Sequence, residues 1–110
     1  MPRFRLETAL KVRERLEKLY QKALAEQVQI QQELRDHKKL MEDALETHDL
    51  NLNQSKKSGF TVMQLQMSDH FKERLGLQME VNQNQLKEQE QVIELKRQEL
   101  TRATQKKRVL

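Results

Sequence analysis

One interruption constrains this chain more than any other feature. Between two long stretches of helical periodicity lies Asn51 to Leu65, NLNQSKKSGFTVMQL, where the pattern breaks and then restarts. Ser58-Gly59 supplies the backbone freedom a reversal needs. Thr61 and Gln64 stand at capping-box spacing, so the Thr hydroxyl is expected to accept from the Gln64 backbone N–H while the Gln64 amide oxygen accepts from the Thr61 N–H. Phe60, one residue before that cap, is placed to pack on Leu65 as a hydrophobic staple. These signals predict the tip of a helical hairpin, with arms of about 5–50 and 62–110.

Composition narrows the options further. Only 35% of the 110 residues are hydrophobic and 35% are charged, so a thick globular core is hard to build. Two Gly and one Pro, in a chain rich in Leu, Glu, Lys, Gln and Arg, are the composition of long helices and coiled coils. The chain has no cysteine, which removes disulfides and thiolate metal sites. No apolar run approaches the roughly 18 residues of a membrane span, and none near the start has the form of a signal peptide. The sequence therefore predicts a cytoplasmic protein with no direct membrane insertion.

The apolar residues of the first arm follow 3-4 spacing through Ala9, Val12, Leu16, Leu19, Ala23 and Ile30, with Tyr20, Leu34 and Met41 broadening the stripe. In the second arm the seam is Leu65, Met79, Leu86, Ile93 and Leu100, alternating with Leu75, Asn82, Gln89, Lys96 and Ala103. Laid antiparallel, Val12 meets Ala103, Leu16 meets Leu100, Ala23 meets Ile93, Ile30 meets Leu86 and Leu40 meets Leu75. The same alignment sets Glu26 opposite Gln89 and Glu33 opposite Asn82, and centres the reversal at Lys57-Ser58. Polar layers of this kind cost stability but penalise slipped alignments. The expected fold is all-α, an antiparallel two-helix coiled-coil hairpin, with arms of roughly 45 residues making a rod of about 70 Å. An extended parallel homodimer with the central stretch as a hinge, a general structural adaptor, is the competing architecture.

Charge is distributed unevenly along that rod. Residues 1–20 hold six Lys/Arg against three Glu and residues 96–110 hold six against one, whereas the stretch between them is net acidic. A hairpin places the two basic ends side by side as a basic foot. Only Phe4 and Tyr20 accompany those charges, and no nucleic-acid motif is present, so nucleic acid is not the expected partner. His37, His48 and His70 form no helical zinc pair, and there is no phosphate loop or nucleophile elbow. Neither an enzyme nor a bound cofactor or metal is expected. Phe60, Met63, Met67 and Phe71 offer an adaptable apolar contact surface near the tip.

The opening Phe4–Arg13, FRLETALKVR, resembles the start of the flagellar export protein FliJ family. Gly59, a small apolar pair and then Leu65-Gln66, followed by Phe71 and Leu75 in a basic, amide-rich second arm, are similar to that family's second helix. The family's second helix runs several tens of residues past the point where Arg108-Val109-Leu110 closes this sequence. The resemblance implies a non-enzymatic component of flagellar type III protein export, peripheral to the inner membrane. Its implied partners are the export ATPase, the export-gate membrane protein and export chaperones. On that reading the foot residues Arg3, Arg5, Arg13, Arg97, Arg102, Lys106 and Arg108 face the ATPase ring. The family's gate-binding face maps onto His37, Met41, Ala44, His48, Phe71, Leu75 and Asn82, of which His48 and Asn82 depart from the family in residue type.

Overall fold

Pro2 opens the first helix, at a position where its missing N–H costs nothing and its fixed φ suits helical backbone. The structure, a computed structural model, describes residues 2–56 and 58–109, with side chains from Arg5 onward. Helix α1 spans Pro2–Ser55 and helix α2 spans Val62–Val109, with no strand among the described residues. The chain is an all-α helical hairpin. The central stretch is a turn between α1 and α2, not a hinge within one extended helix.

The local chemistry of that turn matches the sequence. Lys56 N–H donates to the Leu52 carbonyl at 3.1 Å and Ser58 N–H to the Ser55 carbonyl at 3.0 Å, closing α1. Gly59 takes φ +85°, a conformation that side chains with a Cβ resist. The capping box forms as predicted: Thr61 N–H donates to Gln64 Oε1 at 3.0 Å and Gln64 N–H to Thr61 Oγ1 at 3.1 Å. A cap of this kind is worth about 1 kcal/mol of helix stability. Lys57, half of the expected reversal centre, lies outside the described residues.

The chain's contacts gather into two compact units, Met1–Gln32 with Glu88–Leu110, and Glu33–Lys87. In the second of these, α1 contributes Leu34, Met41, Leu45, His48 and Leu52 to the seam, and α2 contributes Ser68, Leu75, Met79, Asn82 and Leu86. Met41 is 4% exposed, Leu75 7% and Asn82 2%. Asn82 Nδ2 donates to the Leu34 carbonyl at 3.0 Å, and His48 Nε2 shares a 2.8 Å hydrogen bond with Ser68 Oγ.

The first unit has a more polar seam. Gln89 Nε2 donates to both the Gln27 carbonyl, at 3.0 Å, and Gln27 Oε1, at 2.7 Å. Ile93 and Ala103 are buried, while Arg13, Glu17, Tyr20 and Lys96 are half-buried in the same seam. The long stems of Arg13 and Lys96 can cover apolar surface there while their charged heads reach its edge.

Two expectations need correction. The axial alignment of the arms is nearly as predicted, but α1 presents the next residue round: Gln27 rather than Glu26 meets Gln89, and the Leu34 carbonyl rather than Glu33 meets Asn82. Glu26 and Glu33 are exposed. Likewise Leu40 and Val12 face outward, and Met41 and Arg13 take the places expected for them opposite Leu75 and Ala103. The physical reason is heptad continuity. Arg13, Tyr20, Gln27, Leu34, Met41 and His48 recur every seven residues, as Ser68, Leu75, Asn82, Gln89, Lys96 and Ala103 do on α2. The stripe through Val12, Leu16 and Leu19 is more apolar but is broken at Glu26, Glu33 and His37.

The two glycines give opposite predictions. Gly76 sits inside α2 with nothing within 4 Å of where a Cβ would stand, so Gly76→Ala should raise stability by about 1 kcal/mol. Gly59 is equally uncrowded, yet its φ makes Gly59→Ala destabilising by about 1 kcal/mol. Urea unfolding followed by circular dichroism measures both, and equal signs for the two variants would contradict this account of the turn.

Candidate interaction sites

His48 emerges from the last turns of α1 facing the first turns of α2. Its imidazole is held by Ser68 Oγ on one side and lies against the Phe71 ring on the other, with centroids 4.5 Å apart and planes tilted by 34°. Such a pair contributes about 0.5–1.5 kcal/mol beyond the area it buries. Next to it opens a cleft of about 380 Å³. Phe60, Met67 and Phe71 provide its apolar wall and Asn51, Ser55 and Gln64 its polar rim. Phe60 therefore faces this cleft; Leu65, its expected staple partner, is not among the lining residues and is about half exposed. Met63 stands outside the cleft, largely exposed. Asp49 and Lys72 pair at 3.2 Å on the surface nearby, an exposed contact worth less than about 1 kcal/mol.

The gate-facing residues implied by resemblance are divided by the structure. His48 and Phe71 come together at this cleft. Met41, Leu75 and Asn82 are buried in the seam between the helices. Ala44 is exposed, and His37 lines a separate depression of about 360 Å³ with Leu77, Gln78, Val81, Asn82 and Gln85. At this cleft, Ser68 is a residue that sequence reasoning missed. Continuing the Leu75–Asn82–Gln89 heptad one step toward the tip reaches it.

In the other unit a cavity of about 200 Å³ lies between the helices, lined by Arg13, Leu16, Tyr20, Glu99, Arg102, Ala103 and Lys106. Three of the predicted foot residues, Arg13, Arg102 and Lys106, thus share one site. Arg5, Arg97 and Arg108 are exposed and line no described cavity, and the side chain of Arg3 lies outside the described residues. A structural role competes for the last turn of α2, where Lys106, Lys107 and Arg108 complement the helix dipole.

Compared with known protein families, curated proteins and solved structures, the chain matches none. Among the described residues no cluster of three or more His, Asp or Glu is placed to hold a metal ion, and no helix is long and apolar enough to cross a membrane.

Beside the basic cavity lies a contact that the sequence reading overlooked. Lys107 Nζ reaches Glu17 Oε1 at 3.3 Å, while Glu17 Oε2 is buried without a hydrogen-bond partner. The Glu17 side chain is only 14% exposed. Lys107 continues the Ile93–Leu100 heptad, so its seam position was readable; its partner was not. A half-buried carboxylate of this kind depends on its cation, because the desolvation cost remains when the cation is removed. Lys107→Met should cost about 1–2 kcal/mol in urea unfolding. The double variant Glu17→Leu/Lys107→Leu should recover that loss or exceed the parent. A neutral Lys107→Met would show that the pair does not hold this part of the seam.

Proposed function

We propose that this chain is a non-enzymatic, cytoplasmic component of a flagellar type III protein export apparatus, peripherally associated with it at the inner membrane. On this reading its basic unit engages the ring of the export ATPase as a stalk. Its turn-proximal unit contacts the export-gate membrane protein through the surface around His48 and Phe71, and the protein helps cycle export chaperones. The observation that carries the reading is the convergence of Arg13, Arg102 and Lys106 on one cavity, in the unit that also holds the FliJ-like opening phrase. A basic end of this kind complements a ring that presents acidic or polar loops, and such complementarity sets encounter rate and orientation. The His48–Phe71 stack supports the gate contact, because it sets a partly exposed aromatic ring beside a cleft large enough for an apolar side chain.

The experiment is hydrolysis by the purified export ATPase with and without this protein. The proposal expects stimulation by the folded chain, and loss of most of it in Arg102→Glu/Lys106→Glu, whose side chains are exposed and whose folding is checked by circular dichroism. Phe71→Ala should leave ATPase stimulation unchanged while weakening capture by the export gate. Absence of stimulation from the folded protein would overturn the stalk role.

A further inference from the structure

The most apolar stripe on α1 is left uncovered within its own unit. Val12, Leu16, Leu19 and Ile30 are each more than a third exposed, and Leu19 reaches 62%. Leu16 lines the same cavity as Glu99, Arg102 and Lys106, which fixes the side of α2 that shares this face. One heptad before Arg102 stands Leu95, 58% exposed, and one heptad before that stands Glu88. Along one line of α2, then, stand a carboxylate, an exposed leucine and a guanidinium, each about 10 Å from the next.

From this arrangement we infer that the face is covered by a second copy of the chain, packed antiparallel about a two-fold axis at Leu95. Such an axis brings Leu95 against the Leu95 of the second copy. It sets Arg102 opposite the second copy's Glu88 and Glu88 opposite its Arg102, so one contact supplies two ion pairs. The Gln27–Gln89 hydrogen bond places Leu95 level with Gln21, so on α1 the axis passes midway between Leu19 and Ala23. Leu19 then meets Ala23 twice, and Val12 meets Ile30 twice. Leu16 falls opposite the aliphatic stem of Glu26. The apolar centre and the charged flanks are therefore both self-complementary in this one orientation.

A parallel two-fold is disfavoured by the same charges. It would set Arg13, Arg102 and Lys106 of both copies at one level, with like charges adjacent. The antiparallel contact joins the two helix pairs into a four-helix arrangement, in which each thin seam gains an apolar neighbour. This inference does not need the export reading, although Arg102 serves in both; Glu88→Arg, which leaves the basic cavity unchanged, tests the self-association alone.

Sedimentation velocity of the full chain over a concentration series tests it. The parent protein should associate to a dimer. Arg102→Glu and Glu88→Arg should each weaken that dimer by about tenfold, because each change turns two attractive pairs into repulsive ones. The double variant Arg102→Glu/Glu88→Arg should restore association to near the parent level. Both positions are exposed, so helicity by circular dichroism should stay constant. Since the chain has no cysteine, Leu95→Cys should also form a disulfide-linked dimer on mild oxidation, and Leu77→Cys should not. A monomer at every concentration, or a dimer whose charge reversals fail to rescue one another, would overturn the inference.

Discussion

The hydrogen bond from Asn82 Nδ2 to the Leu34 carbonyl is the contact on which one unit's seam depends, and Gln89 to Gln27 plays the same part in the other. A seam of leucines alone tolerates sliding by whole heptads, because each knob finds a similar hole one step along. Buried amides add a penalty, since a slip that breaks the Asn82 bond, or the Gln89 bond to the Gln27 side chain, strands a donor at a cost of about 1–3 kcal/mol. Asn82 donates to a backbone carbonyl, an acceptor that no side-chain substitution on α1 removes. The turn is consistent with the register those bonds set: His48 and Ser68 continue it, and the Thr61–Gln64 cap starts α2 where the alignment requires.

The two units use this alignment differently. Around Met41, Leu75 and Met79 the seam is mostly apolar, and polarity is confined to Asn82 and the His48–Ser68 pair. In the other unit Arg13, Glu17, Lys96 and Lys107 all enter the seam, and the best apolar stripe faces away from it. A seam with that many charged heads is weakly cohesive by itself. It presents cations around a cavity, and it leaves hydrophobic surface exposed. The proposed ATPase contact and the inferred self-association both draw on this same feature.

Much of the fold was legible because its strongest signals are local. Gly59, Thr61 and Gln64 specify the turn through backbone conformation and two short hydrogen bonds, which depend on no distant residue. Register was legible because Asn82 and Gln89 interrupt an otherwise apolar seam at heptad spacing, so that polar partners had to exist across from them. The rotation of α1 was not legible from hydrophobicity. Arg13, Glu17 and Gln27 read as surface residues, yet all three enter the seam, where Glu17 meets Lys107 and Gln27 meets Gln89. Val12, Leu19 and Leu40 read as core and are exposed. Of the candidate sites, the basic ends were read from charge, whereas His48 and Phe71 were named only through the family resemblance. Ser68, Glu17 and Lys107 were missed because each gains its role only from a partner on the other helix.

The central claim is that α1 and α2 pair within one chain. Spin labels attached to cysteines replacing Leu16 and Leu100, diluted into excess unlabelled protein to suppress contacts between copies, measure this directly. A distance close to the spacing of packed helices, about 10 Å, is the predicted result. A separation on the order of 100 Å, as one extended helix would give, would contradict it.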